Sequence, residues 1–153
     1  MIPGLRIYTA SSWRNPYYND VVSMLRMEFE VYDFRTVANA FQWTQIDDGW
    51  QLWHTDEFKK ALHNPIAVKG FDADFEGMKH AHVAVLVLPC GRSAHWEAGW
   101  FTGKGKPVYV YIPEKIEPEL TYSLAKGIYS DIGELVIALK LEEAEYLDMF
   151  ATG

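Results

Sequence analysis

A single cysteine, Cys90, stands among 153 residues. An internal disulfide is therefore excluded, and no CxxC or Cys/His spacing offers a zinc site. Basic residues are outnumbered 14 to 21, and the net charge of −7 removes any generic attraction to nucleic acid or to an anionic membrane surface. No apolar run approaches the ~20 residues that span a bilayer. The amino terminus also lacks the basic-then-apolar pattern of a secretory leader. A cytoplasmic protein without nucleic-acid or membrane partners is expected. Neither GxGxxG nor GxxxxGK[ST] occurs, which sets aside the dinucleotide fingerprint and the P-loop. There is no internal repeat, low-complexity tract or linker, so residues 1–153 are expected to form one domain.

What is present is apolar surface. Hydrophobic residues make up 49% of the chain and aromatics 15%, enough to build a core without staples. The organising stretch runs from His82 to Pro113. Val83 to Leu88 is a β-branched, apolar run that reads as a strand buried on both faces, as in a parallel sheet. A polar turn follows (Cys90, Gly91, Arg92, Ser93), then a short helix carrying Glu97. Gly103 to Pro107 end that helix, and Val108 to Ile112 form the next strand. With Glu97 placed in the first turn, the backbone dipole is expected to hold it as an anion.

Leu5 to Ala10 is expected to be the first strand, with Asn15 and Pro16 starting a helix whose buried stripe is Val21, Val22, Leu25 and Phe29. Phe29 to Phe34 reads as a strand. Trp43, Ile46, Trp50 and Trp53 recur at helical spacing, although Asp47, Asp48 and Gly49 could interrupt it. That segment is either an aromatic stripe packed on the sheet or a second subunit, or a cover whose indoles stack on a flat ligand. Thr55 to Asn64 should be a short helix with Phe58, Ala61 and Leu62 inward and Pro65 beyond its end. Phe71 to Ala81 should be another, with Phe71, Phe75 and Met78 on one side and Asp74 at the margin of that face. Gly127 to Ser130 reads as a weak last strand. Asp131 and Glu134 read as a capping pair for a final helix with Ile132, Leu135, Val136 and Leu139 inward. The pattern predicts an α/β, flavodoxin-like three-layer sandwich with a central parallel sheet of about five strands.

Four clusters fall at carboxyl ends of the expected strands or on adjacent helix ends: Tyr8 to Arg14, Asp33 to Arg35, Asp74, and Gly91 to Glu97. In open α/β sheets ligands bind at that edge. Paired carboxylates are the usual equipment for cleaving glycosidic bonds, one as nucleophile and one as proton manager. The Ser11, Ser12, Arg14 turn leads into a helix start, where outward amides favour an anion such as a phosphate.

The segments RIYTASSWRN, DADFEGMKHAHVAVLVLP and SAHWEAGWFTGKGKPVYVYIPE resemble the nucleoside 2-deoxyribosyltransferase family, including the related deoxynucleoside 5′-monophosphate N-glycosidases. The resemblance implies cleavage or transfer at the N-glycosidic bond of a nucleoside or nucleotide. In those terms Glu97 is the nucleophile, Asp74 the acid that handles the base, and Tyr8 the phenol that holds the nucleophile. Ser12 and Arg14 fall where the monophosphate hydrolases contact phosphate. Gly91 stands where the family carries a polar Asp or Ser, with Ser93 and His95 as possible substitutes. The expected binding set is thus Ser11, Ser12, Arg14, Gly91, Ser93 and His95. No metal or cofactor is implied, and His82 is expected to be structural. The resemblance also implies a homodimer or higher homo-oligomer, with Thr121, Tyr122 and Ser123 of a neighbour completing the pocket. Two other readings stay open: an NAD glycohydrolase-like enzyme, and a catalytically silent nucleotide-binding module.

Overall fold

The computed structural model describes residues 4–152. Its centre is β3 (Val83–Val87), five residues that are all buried. β1 (Arg6–Ala10) and β4 (Val108–Tyr111) flank it, and β2 (Glu30–Tyr32) and β5 (Gly127–Tyr129) lie at the edges. All pairings are parallel, in the order β2-β1-β3-β4-β5. This is the flavodoxin-like arrangement, whose strand order reverses between β1 and β3.

Two-residue periodicity splits the strand side chains between two helical layers. Ile7, Val83, Val85, Val87 and Tyr109 face a layer containing α1 (Tyr18–Arg26) and α5 (Ile132–Thr152). Tyr8, Ala84, Leu86 and Val110 face the other layer, which holds α3 (Pro65–His80) and α4 (Arg92–Gly103). The short helix α2 (Thr55–Ala61) precedes α3. Among the described residues no helix is long and apolar enough to cross a membrane.

Several local expectations shift. Helix α1 begins at Tyr18, later than the Asn15–Pro16 start expected, because the Asn15 side chain is engaged in the sheet edge. Its Oδ1 accepts from the Tyr17 amide at 2.8 Å, while Nδ2 donates to Ser11 Oγ and to the Val87 carbonyl. Pro65 lies beyond α2 as expected, but it also opens α3, which therefore starts before the expected Phe71. Asn64 Oδ1 accepts from the Ile66 amide at 2.9 Å, and proline at the first helical position gives up no intrahelical bond. The longer helix leaves Phe71 exposed, and of the expected trio only Met78 is buried; in α2, likewise, only Ala61 is. At the last helix Asp131 behaves as expected, its Oδ2 accepting from the Glu134 amide.

The tryptophan-rich segment is not one helix. It forms two 3-10 turns, Trp43–Gln45 and Trp50–Leu52. Asp47 separates them, accepting from the Gly49 amide with one oxygen and from Trp53 Nε1 with the other, both at 2.8 Å. Trp43 packs against Phe41, Trp53 and Phe58 as a satellite cluster. Phe41 joins that cluster to α3 at Gly70, where an added Cβ would lie 2.6 Å from the Phe41 Cβ.

Candidate active site

Tyr8 lies in the middle of β1, opposite Tyr32 of β2 on one side and Ala84 of β3 on the other. In a parallel pair such partners project to the same face, here toward α3 and α4. The two phenol rings stack, with centroids 5.2 Å apart and planes 10° from parallel. Each donates to a different carboxylate. Tyr8 Oη donates to Glu97 Oε2 at 2.5 Å, and Tyr32 Oη donates to Asp74 Oδ1 at 3.0 Å. Three of the residues singled out from sequence, Tyr8, Asp74 and Glu97, therefore meet from three separate elements.

Glu97 is the sixth residue of α4, beyond its first turn. The dipole fades within that turn, so the expectation of a dipole-held anion is corrected. Burial dominates instead and pushes the Glu97 carboxyl up to about 7, against the lowering effect of the Tyr8 hydrogen bond; the nearby Asp74 charge adds to the rise. Burial likewise raises Asp74 to about 6, opposed by the Tyr32 hydrogen bond. The Tyr8 phenol is pushed strongly upward by burial and by the Glu97 and Asp74 charges, so it stays a donor throughout the neutral range. Because the Asp74 charge acts on Glu97, the two carboxyls titrate as a coupled pair near neutrality. Neither is in an ion pair among the described residues, and Glu97 Oε1 makes no hydrogen bond there. A carboxylate with one oxygen held by a phenol and the other free is equipped to attack an electrophilic carbon.

The remaining predicted residues divide. Ser12 Oγ accepts from the Arg14 amide at 3.2 Å, and the Arg14 side chain is exposed. Ser11 Oγ donates to the Val87 carbonyl at 2.8 Å, which stitches β1 to β3. Gly91 is the N-cap of α4, with no side-chain cap, and an added Cβ there would meet nothing within 4 Å. Ser93 is exposed beside it. His95 is engaged at both nitrogens. Because a carbonyl only accepts, Nδ1–H donates to Gly91 O at 2.7 Å, and Nε2 accepts from Tyr122 Oη at 2.8 Å. Tyr122 Oη thus meets His95 within its own chain. Burial pushes the Cys90 thiol up to about 12, so it remains neutral. His82 is structural as expected, its Nδ1 accepting from the Arg6 amide at 2.9 Å. Among the described residues no cluster of His, Cys, Asp or Glu could hold a metal ion.

Tyr32 is the residue that sequence reasoning missed. Its signal was present: in FEVYDF, alternation places Tyr32 on the Tyr8 face once β2 is paired with β1 in register.

No protein-family model and no curated protein matches this sequence. Solved structures do match. A 2-deoxyribosyltransferase from the psychrotolerant bacterium Bacillus psychrosaccharolyticus is similar with a TM-score of 0.60 at 19% identity, over 85% of this chain and 89% of its own. A conserved protein from Enterococcus faecalis V583 gives a TM-score of 0.61 at 16% identity, over 91% and 99%. A CMP N-glycosidase from Clostridium botulinum gives 0.47 at 16% identity, over 88% and 98%. The first two likenesses establish that this chain has the fold of a 2-deoxyribosyltransferase structure, with the five-stranded parallel sheet at its centre.

Proposed function

We propose that this protein is an enzyme acting at the N-glycosidic bond of a deoxynucleoside or its 5′-monophosphate, through a covalent glycosyl ester on Glu97. The observation that carries the reading is the meeting of two phenol-held carboxyls, Glu97 and Asp74, with one Glu97 oxygen left free. Their fold is shared with a 2-deoxyribosyltransferase.

The chemistry starts from ionised Glu97 and protonated Asp74. Glu97 Oε1 attacks C1′ and the C1′–N bond breaks. Its electron pair leaves with the base, which takes the Asp74 proton. Asp74, now a carboxylate, removes a proton from water or from a second base. That acceptor attacks C1′ and releases Glu97, giving net retention through two displacements. Tyr8 keeps Oε2 occupied and orients Oε1 toward the sugar. Both carboxyls are held near neutrality, so the pair takes up and gives up its proton in the neutral range.

Ser12, Arg14 and the uncapped amino end of α4 beside Gly91 and Ser93 frame the same sheet edge. They support a 5′-phosphorylated substrate, with Ser11 and His95 bracing the two loops.

The test is to incubate the protein with deoxynucleosides, deoxynucleoside 5′-monophosphates and NAD, and to follow free base by chromatography. Base release that Glu97→Gln lowers by at least ~10³-fold is expected, with a glycosyl adduct on the Glu97 peptide by mass spectrometry. Free nicotinamide without any free nucleobase would instead identify an NAD-directed enzyme. Ligand binding without base release in the wild type would identify a silent binding module.

A further inference from the structure

The nucleophile has its phenol, and the acid has one too. Tyr32 and Tyr8 are register partners, and their stacked rings project two O–H groups toward two carboxyls on two different helices. The Tyr32 ring also lies close against α3 at Gly77. Gly77 lies three residues after Asp74, hence on the same helix face. A Cβ there would come within 2.7 Å of Tyr32 Cδ2 and Cε2 and 2.9 Å of Cγ. No side chain fits between Gly77 and that ring, so glycine is required here by the ring's approach and not by backbone conformation.

Resting on the glycosidic reading above, we infer that Tyr32 is the positioning residue for Asp74: its phenol occupies Oδ1, so the transferable proton is carried on Oδ2. The argument is one of hydrogen-bond capacity. A carboxylic acid has one oxygen that accepts and one that carries the proton. Asp74 Oδ1 is the acceptor for Tyr32 in this structure. A proton on Oδ1 would make the acid the donor and Tyr32 Oη the acceptor, leaving the phenol hydrogen without an acceptor, a loss in a half-buried site. The second oxygen is then the one that can reach a base.

The groups facing Asp74 are Tyr32 on β2, Tyr8 on β1 and Glu97 on α4. Of these only Tyr32 donates to it. The Tyr32 bond favours the ionised form and opposes the upward push of burial, so its removal lets Asp74 keep its proton to higher pH.

The experiment is the pH profile of base release for wild type, Tyr32→Phe and Gly77→Ala. Tyr32→Phe keeps the stacked ring and removes only the hydroxyl. Its kcat is expected to fall roughly tenfold at the plateau, the order of one hydrogen bond to a charged group, with KM little changed. Its alkaline limb is expected to move to higher pH. Gly77→Ala, which displaces the ring, should move the limb the same way. A uniform loss at all pH values, or an unmoved limb, would overturn the assignment. If the wild type releases no base from any substrate, the glycosidic reading fails by itself. The positioning claim is then read from the carboxyl ¹³C shift of Asp74, titrated in wild type and Tyr32→Phe. An upward displacement in the variant supports it, and coincident titrations overturn it.

Discussion

Glu97→Gln should make the protein more stable in alkaline solution while removing its nucleophile. In the folded state the carboxyl titrates at about 7, against an ordinary value of 4.5. Below 4.5 the group is neutral folded and unfolded, and its burial is not penalised. As pH rises from 4.5 to about 7, the unfolded chain gives up its proton while the folded one retains it, so stability falls. Above 7 both are ionised and the loss is complete. A displacement of that size corresponds to roughly 3 kcal/mol at about 1.4 kcal/mol per pH unit. Most of it, about 2–3 kcal/mol, develops between pH 5 and pH 8. Glutamine does not titrate, and its amide oxygen still accepts from Tyr8. Urea unfolding of both proteins at pH 5 and pH 8 measures the difference directly. The variant should gain on the wild type by that amount as pH rises. An equal difference at both pH values, or a variant that loses ground, would refute the claim that burial governs this carboxyl.

Tyr8→Phe leaves the stacked ring in place and deprives buried Glu97 of its donor. A lost hydrogen bond to a charged group is about 1.5–3 kcal/mol, so Glu97 should ionise roughly 1–2 pH units higher, read from its carboxyl ¹³C titration. Base release should fall because less Glu97 is ionised while Asp74 still holds its proton; an unmoved Glu97 titration would refute the Tyr8 role. Arg14→Ala should raise KM for 5′-monophosphates and spare unphosphorylated nucleosides; an equal loss on both would refute a phosphate role. Lys106→Met should destabilise the fold by about 1–3 kcal/mol in urea melts. The Lys106 Nζ donates to the carbonyls of Met78, Lys79 and Ala81 at the end of α3, at 3.2, 2.9 and 2.7 Å.

The sheet was legible because burial on both faces writes itself as an uninterrupted run, as in Val83 to Leu88, and because few turn residues interrupt it. The convergence of Tyr8, Asp74 and Glu97 followed from placing each at a sheet edge or on a neighbouring helix. Helix phase was harder to read. Pro65 can end one helix or begin the next, and only the Asn64 cap decides, which then turned Phe71 outward. The environment of Glu97 depended on which residue began α4, and one turn of difference exchanged dipole stabilisation for burial as the governing effect. The tryptophan spacing was truly helical, yet Asp47 closed a local turn on the Gly49 amide and the Trp53 indole that overrode it. Tyr32 was hidden because the alternation in FEVYDF fixes its face only once β2 is paired with β1, and that partner, Tyr8, lies 24 positions earlier in the chain.

That brevity has a consequence for motion. β2 is an edge strand, paired on one side only, and it holds just three register partners. Short edge elements open by local fluctuations well below the free energy of global unfolding. Each such opening would release the Asp74 side chain from its tether while β1, β3 and Glu97 remain in place. Amide exchange at Val31 and Tyr32 would then report how often the acid goes astray. A partner or ligand that clasps this margin would tune proton delivery without approaching the nucleophile.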